Sequence, residues 1–330
     1  MRLIQFLTPE GARRVGAILA DSDEPKVVAG TGSVRDLALG AYRGGRSLEE
    51  AVLACGFKET IAYDRLIEEK RMLVPLDHPD PAHCIVALTG LSHLGSAASR
   101  DAMHSKLQGD DLTDSMKMFK LGLEGGKPAR GQIGAQPEWA YKGDGSWLVH
   151  PEQPIELPGY ADDGGEEGEI AALYVIGDDG TPLRIGFALG NEYSDHAMEQ
   201  QNYLYLAHSK LRQSSFGPEL LLGDIPDDLR GSIRVERDGR VAWSGELLSG
   251  EANMCHSIAN LEYHHFKYAG FRRPGDVHVY YLGASGLSCG NGFETRPGDR
   301  FVVDVPFFGR PLRNTLAAKA PERIVSVRTL

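Results

Sequence analysis

Short apolar runs separated by polar turns divide the chain into three segments. In residues 1–78 this pattern predicts three strands and two helices, at Arg2–Leu7, Arg14–Leu19, Lys26–Ala29, Val34–Ala41 and Leu48–Ala54. A proline-rich stretch, residues 76–81, follows them and predicts a boundary. We therefore predict a small N-terminal α/β domain over residues 1–78.

The remaining two segments make up residues 79–330. Residues 94–131 are mostly polar, charged and interrupted by glycines, and we predict that they form a lid over a site. From Pro137 onward, short apolar runs alternate with Gly, Pro and Asp turns, which is the pattern of a β-rich domain. The predicted fold class is α+β and rich in strands, with one large domain over residues 79–330.

Two glutamates stand at the start of one apolar run. Glu167 and Glu169 flank Gly168, and the run Ile170–Gly177 after them predicts a strand. Alternate residues of a strand point to the same face, so both carboxylates project together. After a turn, the apolar run Arg184–Gly190 predicts a return strand that carries Glu192 back towards the pair.

Carboxylate oxygens of this kind suit hard divalent cations such as Mg²⁺, Mn²⁺ or Ca²⁺. The hairpin therefore predicts a metal site. For the pair of glutamates alone, the alternative is a solvated acidic loop, because the acidic stretch Asp162–Glu167 comes directly before it.

Composition narrows the possible partners and the compartment. The formal net charge of −11 argues against nucleic acid and anionic membranes, so an anionic substrate must be attracted locally by a metal and by Lys or Arg. No apolar stretch is long enough to span a bilayer. The four cysteines are scattered without a CxxC motif, which indicates neither a disulfide framework nor a zinc knuckle. A reducing cytoplasm is the predicted location.

Two other motifs are interpreted as structural. Gly30-Thr-Gly32 predicts a plain turn, because Arg35 stands where a dinucleotide fingerprint needs its third glycine. His256 and His264 are eight positions apart in a predicted helix over 252–268, a spacing that suits packing or a subunit contact better than zinc.

The order of motifs around the hairpin resembles the fumarylacetoacetate hydrolase superfamily. That order is Glu-x-Glu, then Asn191-Glu192, then Lys210, then Gly217-Pro218. In the family, the Glu-x-Glu strand and the acid of an Asn-Asp-x-Ser segment hold one Mg²⁺ or Mn²⁺. The resemblance thus implies one divalent cation per subunit on Glu167, Glu169 and Glu192. Glu192 replaces the usual Asp, so Asp195 is a rival for the third position.

The resemblance covers roughly residues 80–330. Upstream, Cys84–His93 is similar to the family segment that ends in a catalytic histidine, and Pro137–Lys142 is similar to one of its strands. Downstream, Pro274–Gly286 takes the place of a loop that contacts the substrate. The family implies a mixed β-sandwich roll and a homodimer. Lys210, Glu138 and His93 are the expected catalytic residues, and the expected substrate contacts are Lys142, Arg212 and Ser285.

The implied chemistry begins with a 2-oxo acid chelated by the cation, which polarises the C2 carbonyl and makes the C3 hydrogens more acidic. From the resulting enolate, family members cleave a C–C bond, lose CO₂ or expel a C4 hydroxyl. Hydrolytic members pair the histidine with a glutamate, but Ser96 stands at that position here. Glu138 adds an acid where many hydrolases have a neutral residue. Both changes favour the loss of water.

The closer likeness is to the sugar-acid branch of the family, the 2-keto-3-deoxypentonate dehydratases. It rests on the stretches at residues 113–119, 137–139, 141–145 and 260–268. This likeness implies a hydro-lyase of pentose degradation that converts 2-keto-3-deoxy-D-pentonate to 2,5-dioxopentanoate. Lys210 is expected to handle the C3 proton, while Glu138 or His93 assists departure of the C4 hydroxyl. The alternatives are an acylpyruvate-type C–C hydrolase or oxaloacetate decarboxylase on the same metal site, and a non-catalytic 2-oxo acid binding protein.

Overall fold

A computed structural model describes residues 1–20, 22–95 and 112–330. The predicted strands and helices of the N-terminal segment are all present, with ends that differ by at most two residues. Ser33 and Ser47 cap the two predicted helices by accepting hydrogen bonds from backbone N–H groups of the first turn. The N-terminal elements are β1 (Arg2–Leu7), β2 (Arg13–Ile18), β3 (Lys26–Val28), α1 (Val34–Arg43), α2 (Leu48–Cys55), β4 (Phe57–Thr60), α3 (Tyr63–Glu68) and β5 (Met72–Leu73).

Strands dominate the rest of the chain, as the turn pattern predicts. They are β6 (Cys84–Leu88), β7 (Ala140–Asp144), β8 (Leu148–Val149), β9 (Ile155–Leu157), β10 (Gly168–Ile176), β11 (Pro182–Asn191), β12 (Ser214–Phe216), β13 (Leu220–Leu221), β14 (Leu229–Arg237), β15 (Arg240–Ser249), β16 (Val277–Tyr281), β17 (Arg300–Asp304) and β18 (Leu312–Lys319). The helices of this part are α4 (Asp114–Gly125), α5 (His196–Gln201), α6 (Leu206–Lys210) and α7 (Ile258–Phe266).

The predicted lid is described only in part. Ser96 and most of the first half of the predicted lid lie outside the described residues, and the second half contains α4. The predicted helix over 252–268 is shorter than expected. Ser257 accepts a hydrogen bond from the backbone of Asn260 and caps the helix there, so α7 begins only at Ile258.

The strands of the described ranges form one sheet of 13 strands and one of five. The main order of the large sheet is β4-β3-β2-β1-β13-β11-β10-β16-β6-β7, and that of the small sheet is β15-β14-β17-β18-β9. Because β1 pairs with β13, the N-terminal strands extend the same large sheet; the domain boundary at residue 78 stays a prediction. The predicted β-rich α+β class is confirmed.

Strand β10 lies at the centre and is buried on both faces. Ile170, Ala172, Tyr174 and Ile176 pack with residues of the small sheet and of α7. The alternate positions on the opposite face pack with a cluster that includes residues of α1. Burial on both faces explains the continuous apolar run of β10. Its pairing with β11 confirms the predicted hairpin, with Glu169 opposite Gly190.

Gly168 marks the contact between the two sheets beside the paired glutamates. A Cβ on Gly168 would lie 2.5 Å from Cγ1 of Ile233, a fully buried residue of β14. No side chain fits at this position unless the small sheet moves. In the described residues, no helix is long and apolar enough to cross a membrane.

We expect Gly168→Ala to lower the free energy of unfolding by about 1–3 kcal/mol, because the new methyl group overpacks a core that cannot yield. Chemical denaturation measures this change. Gly40→Ala in α1 is the matched control, since no atom lies within 4 Å of a Cβ there and alanine favours the helix. Combining Gly168→Ala with Ile233→Ala should destabilise less than the two changes added together. Strict additivity would contradict the proposed contact.

Candidate metal centre and surrounding residues

Three glutamates meet at the open end of the β10–β11 hairpin. Glu167 precedes β10, Glu169 lies within it and Glu192 follows β11. The backbone N–H of Glu192 donates to the carbonyl of Glu167 at 2.9 Å, and this hydrogen bond joins the two strands at the open end of the hairpin. One carboxylate oxygen from each residue lies within 4.8 Å of the others, and all three residues are buried. The sequence pattern predicts this convergence.

Two buried lysines face the three carboxylates. Lys142 from β7 lies 2.6 Å from Glu192 Oε1 and also donates to the carbonyl of Tyr193. Lys210, at the end of α6, forms an ion pair with Glu167 and lies 3.3 Å from Glu192 Oε2. Charge pairing of this kind is required because each buried ion loses several kcal/mol of hydration.

The two lysines do not offset the negative charge of the three glutamates equally. Burial alone would raise the pKa of Glu167, but Lys210 and His196 hold it well below its usual value. Burial lowers the pKa of Lys210 less than Glu167 and Glu192 raise it, so its pKa lies well above the usual value. Burial, followed by repulsion from Glu192 and Glu167, raises the pKa of Glu169 well above its ordinary range. Glu169 therefore needs a positive charge that the lysines do not supply.

This donor set fits a divalent cation. It consists only of carboxylate oxygens, the ligands that Mg²⁺, Mn²⁺ and Ca²⁺ prefer. Glu169 accepts one hydrogen bond, from the backbone N–H of Gly283 at 2.7 Å. A cation between the three carboxylates would remove the repulsion that favours a proton on Glu169.

Asp195, the rival for the third position, is engaged elsewhere. It caps α5 by accepting from the backbone N–H of Met198 at 3.0 Å, and it pairs with Arg212 at 2.7 Å. Arg212 is itself buried and donates to the carbonyls of His208 and Leu211. The geometry thus favours Glu192 as the third acid, and a substrate-binding role for Arg212 stays a prediction.

Glu138 and His93 have different surroundings. Glu138 precedes β7 and accepts a hydrogen bond from Tyr203 Oη at 3.3 Å. Burial raises the pKa of Glu138 to about 7, an effect that Lys210 partly opposes. His93 bonds Ser92 Oγ at 3.0 Å and Ser249 Oγ at 3.1 Å, and burial lowers its pKa to about 3. His93 is therefore neutral near pH 7 and contacts two hydroxyls.

The loop that carries Ser285 is tied to the glutamates at both ends. Gly283 donates to Glu169, and Glu166 accepts from Ser288 N at 2.9 Å and Ser288 Oγ at 2.8 Å. Ser285 Oγ accepts from the backbone N–H of Leu248, and its role towards substrate stays a prediction. Glu166 was not predicted from the sequence, where it was visible only as one more acid in an acidic stretch.

His196 is a second residue that sequence reasoning missed. Its Nε2 lies 3.1 Å from Glu167 Oε1, and Nδ1 lies beside Gly165, where a Cβ would be 2.5 Å from it. Burial would lower the pKa of His196, but contacts with Cys289 and Glu167 raise it well above its usual value. Its position directly after Asp195 was the only available signal.

Neither the family models nor the curated proteins include a match to this chain. Solved structures do match over nearly the full length. A 2-keto-3-deoxy-D-arabinonate dehydratase complexed with magnesium and 2,5-dioxopentanoate is 18% identical, with a TM-score of 0.71 and coverage of 98% of this chain and 100% of that chain. Its apo form is 19% identical, with a TM-score of 0.70 and the same coverage.

More distant in structure is a 5-carboxymethyl-2-hydroxymuconate delta-isomerase from Mycobacterium smegmatis. It is 18% identical, has a TM-score of 0.57, and the match covers 97% of this chain and 100% of that chain. At 18–19% identity these likenesses establish the architecture. The chain shares the fold of the dehydratase and of the isomerase.

Proposed function

We propose that this protein is a metal-dependent hydro-lyase that dehydrates a 2-keto-3-deoxy sugar acid, converting 2-keto-3-deoxy-D-pentonate to 2,5-dioxopentanoate. The observation that carries the proposal is the buried cluster of Glu167, Glu169 and Glu192 with Lys210 against it. Further support comes from the dehydratase that was solved with magnesium and 2,5-dioxopentanoate, whose TM-score exceeds that of the isomerase.

The three glutamates would hold one Mg²⁺, Mn²⁺ or Ca²⁺. When bound, such a cation polarises the C2 carbonyl of a 2-oxo acid and makes its C3 hydrogens more acidic. Lys210 Nζ is the proposed acceptor of the C3 proton. The glutamates raise its pKa while their charge is uncompensated, so neutralising their charge favours the free amine that accepts a proton.

Glu138 is the proposed donor to the departing C4 hydroxyl. With a pKa of about 7, Glu138 carries a proton in a large fraction of the protein molecules at neutral pH, which suits general acid catalysis. Breaking the C4–O bond with this proton releases water and leaves a C3=C4 double bond. Transfer of a proton from C5 to C3 then gives the C4=C5 enol, which tautomerises to the aldehyde. His93 is the alternative donor, but its pKa of about 3 leaves it neutral and less suited to give up a proton.

The same residues support the choice among reactions. His93 contacts Ser92 and Ser249 and no carboxylate among the described residues, so an imidazole activated by an acid for hydrolysis is not favoured. We extend the proposal to a homodimer in the cytoplasm with a small 2-oxo acid as its partner. The net charge of −11 argues against nucleic acid and anionic membranes.

A screen of 2-oxo acids with Mg²⁺ or Mn²⁺ tests the reaction type, with separate assays for aldehyde, pyruvate and CO₂. We expect aldehyde from 2-keto-3-deoxy-D-pentonate, and hydrolysis of acylpyruvates slower by about 10²–10⁴, the usual contribution of acid–base assistance. Rapid acylpyruvate cleavage with no aldehyde would replace the proposal by the hydrolase. CO₂ from oxaloacetate alone would indicate a decarboxylase, and binding without turnover would indicate a 2-oxo acid binding protein.

We expect Glu169→Gln to weaken Mn²⁺ binding more than about 100-fold, because even outer partners of a ligand contribute 10–100-fold. Titration calorimetry on chelator-treated protein measures the dissociation constant. Glu199→Gln is the matched control: Glu199 lies 3.5 Å from Lys210 but outside the cluster, so the constant should stay close to that of the wild type. An unchanged dissociation constant for Glu169→Gln would show that the metal does not bind at this hairpin.

Exchange of the C3 hydrogens with D₂O separates the two proton transfers. Lys210→Met should slow this exchange by about 10²–10⁴, whereas Glu138→Gln should permit exchange but stop aldehyde formation. Proton NMR follows exchange, and Mn²⁺ binding checks that each variant keeps its site. Rapid exchange in Lys210→Met would show that another group is the base.

The rate of aldehyde formation should depend on pH. Because Glu138 donates in its protonated form, aldehyde formation by the wild type should fall as the pH rises through about 7. The Tyr203 hydroxyl lowers the Glu138 pKa, so Tyr203→Phe should move this decline to higher pH. A decline that does not move would assign it to a different group.

A further inference from the structure

Three buried side chains outside the glutamate cluster, Ser92, His93 and Ser249, are joined by hydrogen bonds. None of them is more than 5% exposed. The backbone fixes their positions, because the N–H of Cys255 donates to the carbonyl of Ser92 at 2.8 Å and His93 forms a β-bridge with Met254. Buried polar groups without partners are costly, so the groups that are able to donate fix the direction of each hydrogen bond.

Ser92 determines where the hydrogen atoms lie. Its Oγ is 2.5 Å from the carbonyl oxygen of Leu282 and 3.0 Å from His93 Nδ1. A carbonyl oxygen can only accept, so the one hydroxyl hydrogen of Ser92 points to Leu282. His93 Nδ1 must then carry the hydrogen of the second bond and donate it to Ser92 Oγ.

The tautomer of His93 follows from this assignment. Burial lowers the pKa of His93 to about 3, so its imidazole is neutral at pH 7 and carries one hydrogen. With that hydrogen on Nδ1, Nε2 is an acceptor, and the hydroxyl of Ser249 donates to it at 3.1 Å. His93 therefore has no hydrogen on Nε2 to give to a substrate.

One peptide group connects these side chains with the metal site. The carbonyl of Leu282 and the N–H of Gly283 belong to the same trans peptide bond, so they point in opposite directions. The carbonyl accepts from Ser92, and the N–H donates to Glu169 Oε2 at 2.7 Å. Every hydrogen bond between Ser249 and Glu169 thus has its donor on the side of Ser249.

The backbone around this peptide leaves no space for a side chain. Gly283 has a φ of +100°, and a Cβ there would lie 2.1 Å from Ser92 Oγ. Leu282 N donates to the carbonyl of Ile170 at 3.0 Å, which holds the peptide beside β10. The peptide is therefore fixed between Ser92 and the glutamate cluster.

We propose that Ser249, His93 and Ser92 are positioning residues that act on Glu169 through the Leu282–Gly283 peptide, holding its carboxylate in place as a ligand of the divalent cation. Hydrogen bonds that follow one another in one direction strengthen each other by about 10–30% per bond, so the chain strengthens the N–H that stabilises the charge of Glu169. The part that concerns the cation rests on the proposed function, whereas the hydrogen-bond chain does not. This role of His93 differs from that of a proton donor to the C4 hydroxyl.

NMR of metal-free wild-type protein with ¹⁵N-labelled histidine measures the tautomer, and His93→Asn identifies the His93 signals by removing them. At pH 7 we expect a hydrogen on Nδ1 and none on Nε2. The Gly283 amide proton is the second readout. Ser92→Ala should move its signal upfield, because the carbonyl of the same peptide loses a hydrogen bond. A hydrogen on Nε2, or an unmoved Gly283 signal, would overturn the chain.

The Mn²⁺ dissociation constant measures the effect on the metal site. We expect about 10–100-fold weaker binding in Ser92→Ala and in His93→Leu, the usual effect of losing an outer partner of a ligand. His93→Asn should stay close to the wild type, because its amide N–H replaces Nδ1–H as the donor to Ser92.

Thr89→Val is the matched control. The Thr89 hydroxyl is also buried and donates to a backbone carbonyl, that of Glu138 at 2.7 Å, but it lies outside the chain. Its loss should leave the dissociation constant close to that of the wild type. Equal weakening in His93→Asn and His93→Leu, or in Thr89→Val and Ser92→Ala, would overturn the proposed role.

Failure of the wild type to bind Mn²⁺ would contradict the proposed function and with it the part of the inference that concerns the cation. The tautomer and the Gly283 signal would still decide whether the hydrogen-bond chain exists, because both are measured without metal.

Discussion

Buried negative charge at the end of one hairpin is the constraint on which the rest of the site depends. Glu167, Glu169 and Glu192 are held together by the backbone, so their repulsion cannot be relieved by moving apart. Lys142 and Lys210 come from two other elements and form ion pairs with these carboxylates, which offsets part of the repulsion. Both lysines are buried at the site. Because two cations face three carboxylates, Glu169 remains the group that favours either a proton or a metal ion.

The architecture makes this arrangement rigid. Strand β10 has neighbours on both sides in the large sheet and side chains packed on both faces, so its first residues cannot shift. Gly168 lets the small sheet approach within van der Waals contact at the position between the two glutamates. The carboxylates are thus placed by the core of the protein, and the loops around them only supply additional contacts.

The sequence predicts the parts of the site that depend on local periodicity. Glu167 and Glu169 face the same way because strand side chains alternate, and the turn between the two apolar runs returns Glu192 to them. It does not predict contacts that depend on the packing of distant elements. His196 meets Glu167 only after α5 folds against the hairpin, and Ser288 meets Glu166 across more than a hundred positions. The start of α7 was missed because the apolar pattern of 252–268 hides the cap at Ser257.

The pairing of strands far apart in the chain governs when the site can form during synthesis. Strand β6 lies parallel to β16, with Cys84 opposite Val277, and β1 pairs with β13. Strand β1 can pair early with β2 and β5, but its pairing with β13, and that of β6 with β16, must wait until most of the chain has been made. Such non-local pairing folds slowly. The two halves of the large sheet therefore assemble late and together. Until then β1 and β6 present unpaired edges, the state in which a β-rich chain is most exposed to aggregation.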